Sequence, residues 1–471
     1  MNIYNTLTKK KEPFKPVNPG IINFYICGPT VYDYFHIGNA RTFVMGDIIR
    51  RYFEYKSFNV NYVMNLTDID DRIIKKSQDE KISFNSVTQK YIEAFFEDIE
   101  NLKIKKAAFY PKATENINEI IKLISDLIEK DFAYNIDGNV FYDVSKFSGY
   151  GKLSGKRIDE LEVGARVEVN EQKKNPLDFS LWKKAKEGEP FWESPWGNGR
   201  PGWHIECSAM SMKYLGTPMD IHAGGNDLIF PHHENEIAQS EAASGKNFVN
   251  YWIHFGFLNI NEEKMSKSLG NFFTAHDVLK KYSAETIRLL FAQTHYAGPL
   301  NFSEDLLVSA KKGLEKLNNL VEKVESEINA HGVKGKNLKF DFETFKNDFE
   351  SAMDDDFNTP QAVAVVFDFI REINKVISEN EDINYTFYEE VKKFIKSTAE
   401  DVLGIADFNF LDQKSGKSLE DDLIKLLIDF RIKAKNEKNF KLADEIRDEL
   451  KKLGIILQDQ KEKTIYKKTE S

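Results

Sequence analysis

The strongest constraint on the fold lies in residues 21–66, where two short apolar runs flank one long helical pattern. Ile21–Cys27 and Asn59–Leu66 predict buried strands, and Ile37–Tyr55 has the apolar spacing of a helix. A strand, a helix and a second strand in this order indicate parallel pairing through a right-handed crossover. We therefore expect an α/β fold in which His36–Asn39 lies just beyond the carboxyl end of the first strand, where parallel sheets bind ligands.

The α/β pattern stops near residue 93 and resumes after residue 202. The segment between these points begins with lysine-rich helical stretches and then becomes aromatic and rich in Gly and Pro. Beyond it, Met219–Ile221 and Asn250–Ile260 predict further strands, and a helix is expected to start near His232. The pattern indicates a Rossmann-like parallel-sheet catalytic domain, residues 1–92 and 203–303, split by a connective insertion, residues 93–202.

The rest of the chain predicts helices. Residues 304–413 are expected to form an all-helical bundle, within which Thr359 is the predicted N-cap of a helix that has Pro360 at its first position. The sequence KSGK at residues 414–417 reads as a linker, with Ser418 opening a last helix pair. Residues 418–471 then predict a small C-terminal domain of two helices and a short strand, Ile455–Gln458.

Composition excludes several classes of protein. The net charge is −10, so the chain as a whole does not suggest a nucleic-acid-binding surface. Residues 431–471 carry 12 Lys or Arg and 8 Asp or Glu, a local excess of +4 that permits phosphate contact, although a solvated lysine-rich tail is the simpler interpretation. No apolar run approaches the roughly 18 residues of a membrane span, no secretory signal is evident, and two cysteines make no disulfide framework. We expect a cytoplasmic protein without membrane contact.

The first group of residues with a chemical signature combines His36–Asn39 with Lys264–Ser268, the sequences HIGN and KMSKS. An imidazole at a helix N-terminus can donate to phosphate oxygens, and Gly38 lets a nucleotide lie close to the backbone. Lysines in a Ser-containing loop can stabilise charge on a polyphosphate. Either motif alone is also found in ordinary turns and solvated loops, but both in this order on a split α/β domain indicate nucleotide chemistry.

The second group is Cys27, Cys207, His232 and Glu236, which offers the sulfur, nitrogen and oxygen donors that zinc takes in tetrahedral sites. His232 and Glu236 are four residues apart and share one face of a helix. The two cysteines are 180 residues apart, however, so spacing alone favours two inert buried thiols over a metal site.

The sequence around both groups resembles a known family. HIGN and KMSKS are similar to the two signature motifs of class I aminoacyl-tRNA synthetases. The stretches CGPTVYDYFHIGNARTF, NLTDIDD, RPGWHIECSAMS, FPHHENEIAQS and DDDFNTP resemble the cysteinyl-tRNA synthetases, densely to about Glu304 and more loosely beyond it. Two positions depart from the family pattern. Asn39 stands where the first signature often has a second histidine, and Phe440 stands near the anticodon where tryptophan is frequent.

The resemblance implies the roles of individual residues. It implies one substrate-binding Zn²⁺ per chain, held by Cys27, Cys207, His232 and Glu236, and a bound cysteine contacted by Cys27, Gly28, Thr67, Trp203, His222 and Asp227. ATP, with Mg²⁺, is expected at His36, Gly38, Asn39, Gly224, Gly225, Asp227 and Lys267, and the catalytic residues are expected to be His36, Asn39, Lys264 and Lys267.

The activity that the resemblance implies is a two-step ligation. L-Cysteine is activated with ATP to cysteinyl-adenylate and then transferred to the 3′ end of tRNA(Cys), with zinc selecting cysteine over serine because thiolate is a far better zinc ligand than a neutral hydroxyl. The enzyme is expected to be a monomer. In the C-terminal domain, Lys435, Phe440 and Asp444 are expected to contact the anticodon.

Two other functions stay open from the sequence. A ligase with the same adenylating core could couple cysteine to an amino sugar, and about 55 residues after the linker argue against it. A non-catalytic zinc- or RNA-binding paralogue would be expected to have broken signatures, whereas KMSKS is intact in this chain.

Overall fold

The computed structural model describes residues 1–156, 173–260, 263–264, 273–330, 335–408, 419–437, 439–459 and 464–468. The chain divides into two compact units, Met1–Ala406 and Asp407–Ser471. The predicted linker 414–417, Ser418 and most of the KMSKS signature, residues 265–268, lie outside the described residues. The domain boundaries drawn from the sequence remain predictions.

The first unit opens with a hairpin and a βαβ element. Phe24 and Ile26 on one face and Tyr25 on the other are fully buried, as expected for a strand that is covered on both faces. The predicted helix is confirmed at its full length, whereas the two predicted strands end one and two residues earlier than expected. The elements are β1 (Asn2–Asn5), β2 (Lys10–Pro13), β3 (Ile21–Ile26), α1 (Ile37–Tyr55), β4 (Asn59–Met64), α2 (Asp71–Glu80) and α3 (Phe84–Asn101).

The inserted segment has its own antiparallel sheet. Its strands pair in chain order, and its helix packs into a core that is shared with Ile205, Ala209 and Ala238 of the following helices. The insertion therefore supports the elements that carry the second half of the predicted site. Its elements are α4 (Ile117–Glu129), β5 (Ala133–Ile136), β6 (Asn139–Tyr142), β7 (Phe179–Lys184) and β8 (Gly199–Pro201).

The second half of the α/β domain completes the parallel sheet. It adds α5 (Trp203–Leu215), β9 (Met219–Gly225), α6 (Glu234–Ser244) and β10 (Val249–Phe255). The strand order is β10-β9-β3-β4, and every neighbouring pair is parallel. The carboxyl ends of β3 and β9 consequently lie side by side, with Tyr25 level with His222.

A small sheet and a helical region complete the first unit. Among the described residues no helix is both long and apolar enough to cross a bilayer. The elements are β11 (Leu258–Ile260), β12 (Glu263–Lys264), α7 (Ala275–Leu279), α8 (Ala284–Ala292), β13 (Leu300–Phe302), α9 (Glu304–Ala330), α10 (Phe342–Asp354), α11 (Thr359–Glu379) and α12 (Tyr385–Ile395).

The prediction that Thr359 is the N-cap of α11 is wrong by one residue. The Asn358 side chain accepts the capping hydrogen bond from Gln361 N at 3.2 Å, so Thr359 is the first helical residue and Pro360 the second. Both Asn and Thr are good caps. The Asn358 amide takes the role here, and the Thr359 side chain is buried.

The second unit contains a helix pair and a hairpin. α13 (Leu419–Asn436) and α14 (Phe440–Lys452) share a small core with β14 (Ile455–Asp459), which pairs antiparallel with β15 (Thr464–Lys468). The predicted helix pair and the strand after Gly454 are confirmed, and β15 was not expected from the sequence.

Candidate functional site

A cleft of about 440 Å³ opens at the carboxyl end of the parallel sheet, beside the N-terminus of α1. Residues predicted from distant parts of the chain meet in its wall. Those that line it are Cys27, Gly28, His36, Gly38, Asn39, Thr67, Trp203, Cys207, Gly225, Asp227 and His232. Members of both groups recognised in the sequence, His36, Gly38 and Asn39 of the first and Cys27, Cys207 and His232 of the second, therefore line one cleft.

One end of the cleft contains a compact donor cluster. Cys27 directly follows β3, Cys207 lies on α5, and His232 and Glu236 come from the turn before α6 and from its first turn. One ligand atom from each of the four residues lies within 4.8 Å of the others, and all four residues are buried. His232 Nε2 is 3.0 Å from Glu236 Oε1, and Cys27 Sγ is 3.7 Å from the same oxygen.

The donors in this cluster fit a zinc ion. Two sulfurs, one imidazole nitrogen and one carboxylate oxygen form a four-donor set of the kind that zinc takes. Glu236 Oε2 is buried without a hydrogen-bond partner among the described residues, although His222 Nε2 lies 3.5 Å away, so this oxygen has a lone pair left for a metal. A dication held by these residues would neutralise the carboxylate.

The electrostatics of the cluster favour the binding of a cation. Hydrogen bonding from Cys27 lowers the pKa of Cys207 to about 6. Burial raises the pKa of Glu236, but His222 and His232 more than offset it and hold the value at about 2. Burial likewise opposes protonation of His232, yet Glu236 and Cys207 raise its pKa to about 10. The lowered pKa values of Cys207 and Glu236 favour the charged forms that bind a metal, and a dication that took His232 as a ligand would displace a proton from its ring.

A layer of histidines lies beneath the cluster. His222, predicted to contact cysteine, is fully buried behind Cys27, with 3.5 Å between its Nε2 and the Cys27 sulfur, and it stacks on Trp252. His222 and His233 together with Cys27 and Glu236 form a second group that could hold a metal. It shares two donors with the first group, so the two are alternatives for one ion. Only the first group has two sulfurs, the softer ligands that suit zinc.

His204 contacts the outer side of His232. The two Nδ1 atoms are 2.9 Å apart, within hydrogen-bond distance, and burial lowers the pKa of His204 well below its usual value, which favours the neutral ring. This leaves His232 Nε2 for Glu236 or a metal. Partners of this kind fix the orientation of ligating histidines.

The middle of the cleft is shaped around Thr67 and Gly28. The Asn65 side chain accepts from Gly28 N at 2.9 Å and donates to Thr67 Oγ1 at 3.2 Å. A Cβ atom at Gly28 would collide with the carbonyl oxygen of Asn65, so only glycine fits. Trp203 stacks on His232 with 4.3 Å between ring centroids and forms a wall beside the metal ligand.

The other end of the cleft is the N-terminus of α1. His36 is the N-cap, and its Nδ1 accepts from Asn39 N at 3.1 Å, which leaves the proton of the neutral ring on Nε2. Gly38 and Asn39 face the cleft in the same turn. A helix N-terminus with these donors suits an anionic phosphate.

Comparison with known proteins shows the family to which the chain belongs. A curated cysteine–tRNA ligase of Carboxydothermus hydrogenoformans is 52% identical over 462 residues, which is 98% of each chain. The chain belongs to the cysteine–tRNA ligase family. The cysteine–tRNA ligase of Clostridioides difficile (strain 630) is 49% identical over 473 residues, covering 99% of this chain and 100% of that one. The members of this family are class I aminoacyl-tRNA synthetases, which are ATP-dependent ligases.

Family models and solved structures agree with this placement. Residues 13–312 match the model for the tRNA synthetases class I (C) catalytic domain, and residues 348–407 match the DALR domain. A Mycobacterium tuberculosis methionyl-tRNA synthetase in complex with methionyl-adenylate has a TM-score of 0.59 at 13% identity, over 81% of this chain and 89% of that chain. A leucyl enzyme from Agrobacterium radiobacter K84, in a ternary complex with tRNA, has a TM-score of 0.58 at 11% identity, over 83% and 85% of the two chains. These structures confirm the class I fold.

Some predicted residues lie elsewhere or are not described. Gly224 packs under the cleft, where a Cβ atom would lie 2.8 Å from His233 Cε1, while the Asp227 carboxylate covers Gly225. Lys267 lies outside the described residues, and only the backbone of Lys264 is described, in β12. In the second unit Phe440 begins α14 with 61% of its surface exposed.

The last two predicted anticodon residues also lie in the second unit. Asp444 pairs with Arg447 at 2.9 Å, and Lys435 is in the last turn of α13. Sequence reasoning also missed several residues that line the cleft, three of them with large polar side chains. Tyr32, Tyr34 and Arg72 line the wall, and Arg72 Nη2 donates to Thr30 Oγ1 at 2.9 Å. Arg72 comes one residue after the sequence NLTDIDD, and that adjacency was the signal available.

Proposed function

We propose that this chain ligates L-cysteine to tRNA(Cys) and that Cys27, Cys207, His232 and Glu236 hold the zinc ion that selects cysteine. The supporting observation is that this cluster lies at the same cleft that is lined by the N-terminus of α1. Cys27 and His36 belong to the same strand-to-helix turn. A cysteine whose sulfur is held by a metal beside Cys27 would therefore lie close to a nucleotide held at His36. Such proximity of two bound substrates favours their reaction.

The proposed amino-acid pocket surrounds the metal cluster. Trp203 forms a wall, Thr67 is oriented by Asn65, and the Gly28 backbone approaches closely because it has no side chain. Asp227 offers a carboxylate for the amino group of the substrate. Zinc, when bound, would hold the sulfur of cysteine as thiolate and reject the hydroxyl of serine, a distinction that shape alone makes poorly.

The proposed nucleotide residues stabilise charge. His36 Nε2, the backbone at Gly38 and the side chain of Asn39, at the start of α1, would face the phosphates of ATP bound with Mg²⁺. Lys264 and Lys267 are proposed to neutralise the departing pyrophosphate, since this reaction needs charge stabilisation and positioning more than covalent help. Asn39 and Gly225 complete the nucleotide wall.

The experiment that tests this function has two stages. In the first stage, the purified chain should catalyse ATP–pyrophosphate exchange with cysteine and not with serine. In the second stage, it should charge tRNA(Cys) with radiolabelled cysteine. Absence of exchange would contradict adenylation. Exchange without tRNA charging, but with transfer to an amino sugar, would instead favour the alternative ligase.

The proposal extends to the second unit and to the state of the enzyme. Lys435, Phe440 and Asp444 are proposed to contact the anticodon, supported by the high exposure of Phe440, which leaves its ring available for stacking on a base. The enzyme is proposed to act as a cytoplasmic monomer. Light scattering at working concentration would show a single mass near 54 kDa, and a doubled mass would contradict it.

A further inference from the structure

Arg41 is buried next to the nucleotide end of the cleft and binds only backbone. It lies on α1 two residues after Asn39, with 1% of its surface exposed. Nη1 donates to Gly256 O at 3.0 Å and to Phe257 O at 3.2 Å, and Nη2 donates to His295 O at 3.0 Å and to Gly298 O at 2.7 Å. The described residues give it no carboxylate partner. A buried cation without a counter-ion is costly, so a role other than ion pairing is indicated.

The carbonyls that Arg41 binds belong to two turns, one of which lines the cleft. Gly256, Phe257 and Leu258 follow β10 and form part of the cleft wall. The second turn, residues 295–298, packs against them backbone to backbone, with Gly256 N donating to Tyr296 O at 2.8 Å. A Cβ atom at Gly256 would lie 2.7 Å from Ala297 O, so the two turns meet without room for a side chain.

The second turn is fixed from its outer side. Tyr296 Oη donates to Asp356 Oδ1 at 2.8 Å, and His295 Nε2 is 2.9 Å from Asp356 O. Asp356 itself has a left-handed backbone with φ of 63° and is held by Tyr4 N. The turn 295–298 is thus an anchored support, and Arg41 joins it to the cleft wall.

Backbone hydrogen bonds also join the start of α1 to Phe273 and Ala275. Ile37 N donates to Phe273 O at 2.9 Å, and Ala275 N donates to Phe35 O at 3.0 Å. The first turns of α1 therefore carry the predicted phosphate donors and also set the position of the backbone that faces them.

We propose that Arg41 is a positioning residue for ATP, which holds the Gly256–Leu258 wall at a fixed distance from His36 and Asn39. The guanidinium suits this role because its rigid fork can satisfy four carbonyls at once, whereas a lysine ammonium is a point charge with three donors. The inference rests on the proposed function for the identity of the nucleotide.

Arg288 is the matched control. It is also fully buried and donates to backbone carbonyls, Leu403 O at 3.1 Å and Leu102 O at 3.3 Å, but it pairs with Asp47 at 2.8 Å and does not line the cleft. Replacing either arginine by lysine removes comparable buried hydrogen bonds, and only Arg41→Lys disturbs the nucleotide wall.

The test measures KM and kcat of the full chain in cysteine-dependent ATP–pyrophosphate exchange, with zinc content and Tm determined for each variant. Arg41→Lys should raise the KM for ATP about 10-fold, with kcat, the KM for cysteine and zinc content little changed, because uniform binding of the nucleotide is lost. Arg288→Lys should lower Tm and leave the KM for ATP unchanged. An unchanged KM for ATP in Arg41→Lys, or an equal rise in Arg288→Lys, would overturn the proposal.

A milder variant covers the case in which Arg41→Lys does not fold. Tyr296→Phe removes only the hydroxyl that anchors the second turn and should raise the KM for ATP about 3-fold, the cost of one modest hydrogen bond. Direct titration with ATP-Mg²⁺ without cysteine should show the same order of affinities. An unchanged affinity in this variant would overturn the proposal, whereas a wild-type chain that binds ATP without exchange would count against the proposed function alone.

Discussion

The two ends of the cleft are built in different ways. At the metal end, Cys27, Cys207, His232 and Glu236 come from one strand end and two helices, are buried, and contact each other. At the nucleotide end, His36 and Asn39 lie at the N-terminus of α1, and the remaining predicted donors, Lys264 and Lys267, come from the segment after β11.

This difference separates selection from activation. A donor set assembled in the core has fixed positions and few substitutes, whereas the start of α1 combines the His36 ring, the Gly38 backbone and the Asn39 side chain, each of which would contribute separately to phosphate binding. We therefore expect damage at the metal end to abolish recognition of cysteine, and damage at the nucleotide end to slow the reaction in graded steps.

The largest effect is expected for Cys207→Ala. Loss of a sulfur donor should remove bound zinc and reduce cysteine activation by about 1,000-fold, above the roughly 10–100-fold typical for loss of an outer partner. Zinc content by mass spectrometry and pyrophosphate exchange measure the two effects. The control is Ser211→Ala, a buried serine on the same helix whose hydroxyl donates to Ser208 O, and this variant should keep its zinc. A Cys207→Ala chain with full zinc and activity would remove the basis for the metal end.

Lys267→Ala tests the nucleotide end. Adenylate formation should fall about 100-fold, the scale of removing one group that stabilises transition-state charge, while zinc content stays unchanged. Lys280→Ala is the control, because Lys280 is an exposed lysine paired with Asp277. If Lys267→Ala lost zinc as well, the two ends would be coupled and the separation drawn above would be wrong.

Asn39→Ala tests whether the loss of one side chain at the nucleotide end has only a small effect. The capping hydrogen bond to His36 uses the Asn39 backbone and survives, so only the side-chain amide is lost. Pyrophosphate exchange should slow about 10-fold, the lower end of the value of one hydrogen bond to a charged partner. Asn39→His should come within about 3-fold of the parent rate. A 1,000-fold loss of exchange activity in Asn39→Ala would contradict the expectation that damage at the nucleotide end slows the reaction only in graded steps.

Phe440→Ala should leave both ends of the cleft untouched. Its ring is mostly exposed, so pyrophosphate exchange and zinc content should not change, while kcat/KM for charging tRNA(Cys) should fall about 10-fold through loss of one stacked base. Asp448→Ala, an exposed change on the same helix, is the control. An unchanged charging rate would contradict the proposal that Phe440 contacts the anticodon.

The fold could be predicted from local patterns to a large extent. The helix Ile37–Tyr55 and the parallel strands flanking it follow from apolar periodicity, which is a local property of the chain. The cap of α11 was misplaced because Asn358 and Thr359 are both competent caps, and only the packing of the folded chain decides between them.

The site was harder to predict for a topological reason. Cys27 and Cys207 approach each other because α5 packs against β3 in a shared core, a relation that spacing along the chain does not reveal. The resemblance to a family pointed to these residues where their spacing did not. Arg41 was missed altogether, since its partners are backbone carbonyls, which leave no residue pattern to find.

The most direct test of selection by zinc is X-ray absorption at the zinc edge of the purified full chain, with and without substrate. The account predicts two sulfur neighbours in the free protein, three after addition of cysteine, and still two after addition of serine. No third sulfur with cysteine, or an equal change with serine, would contradict it.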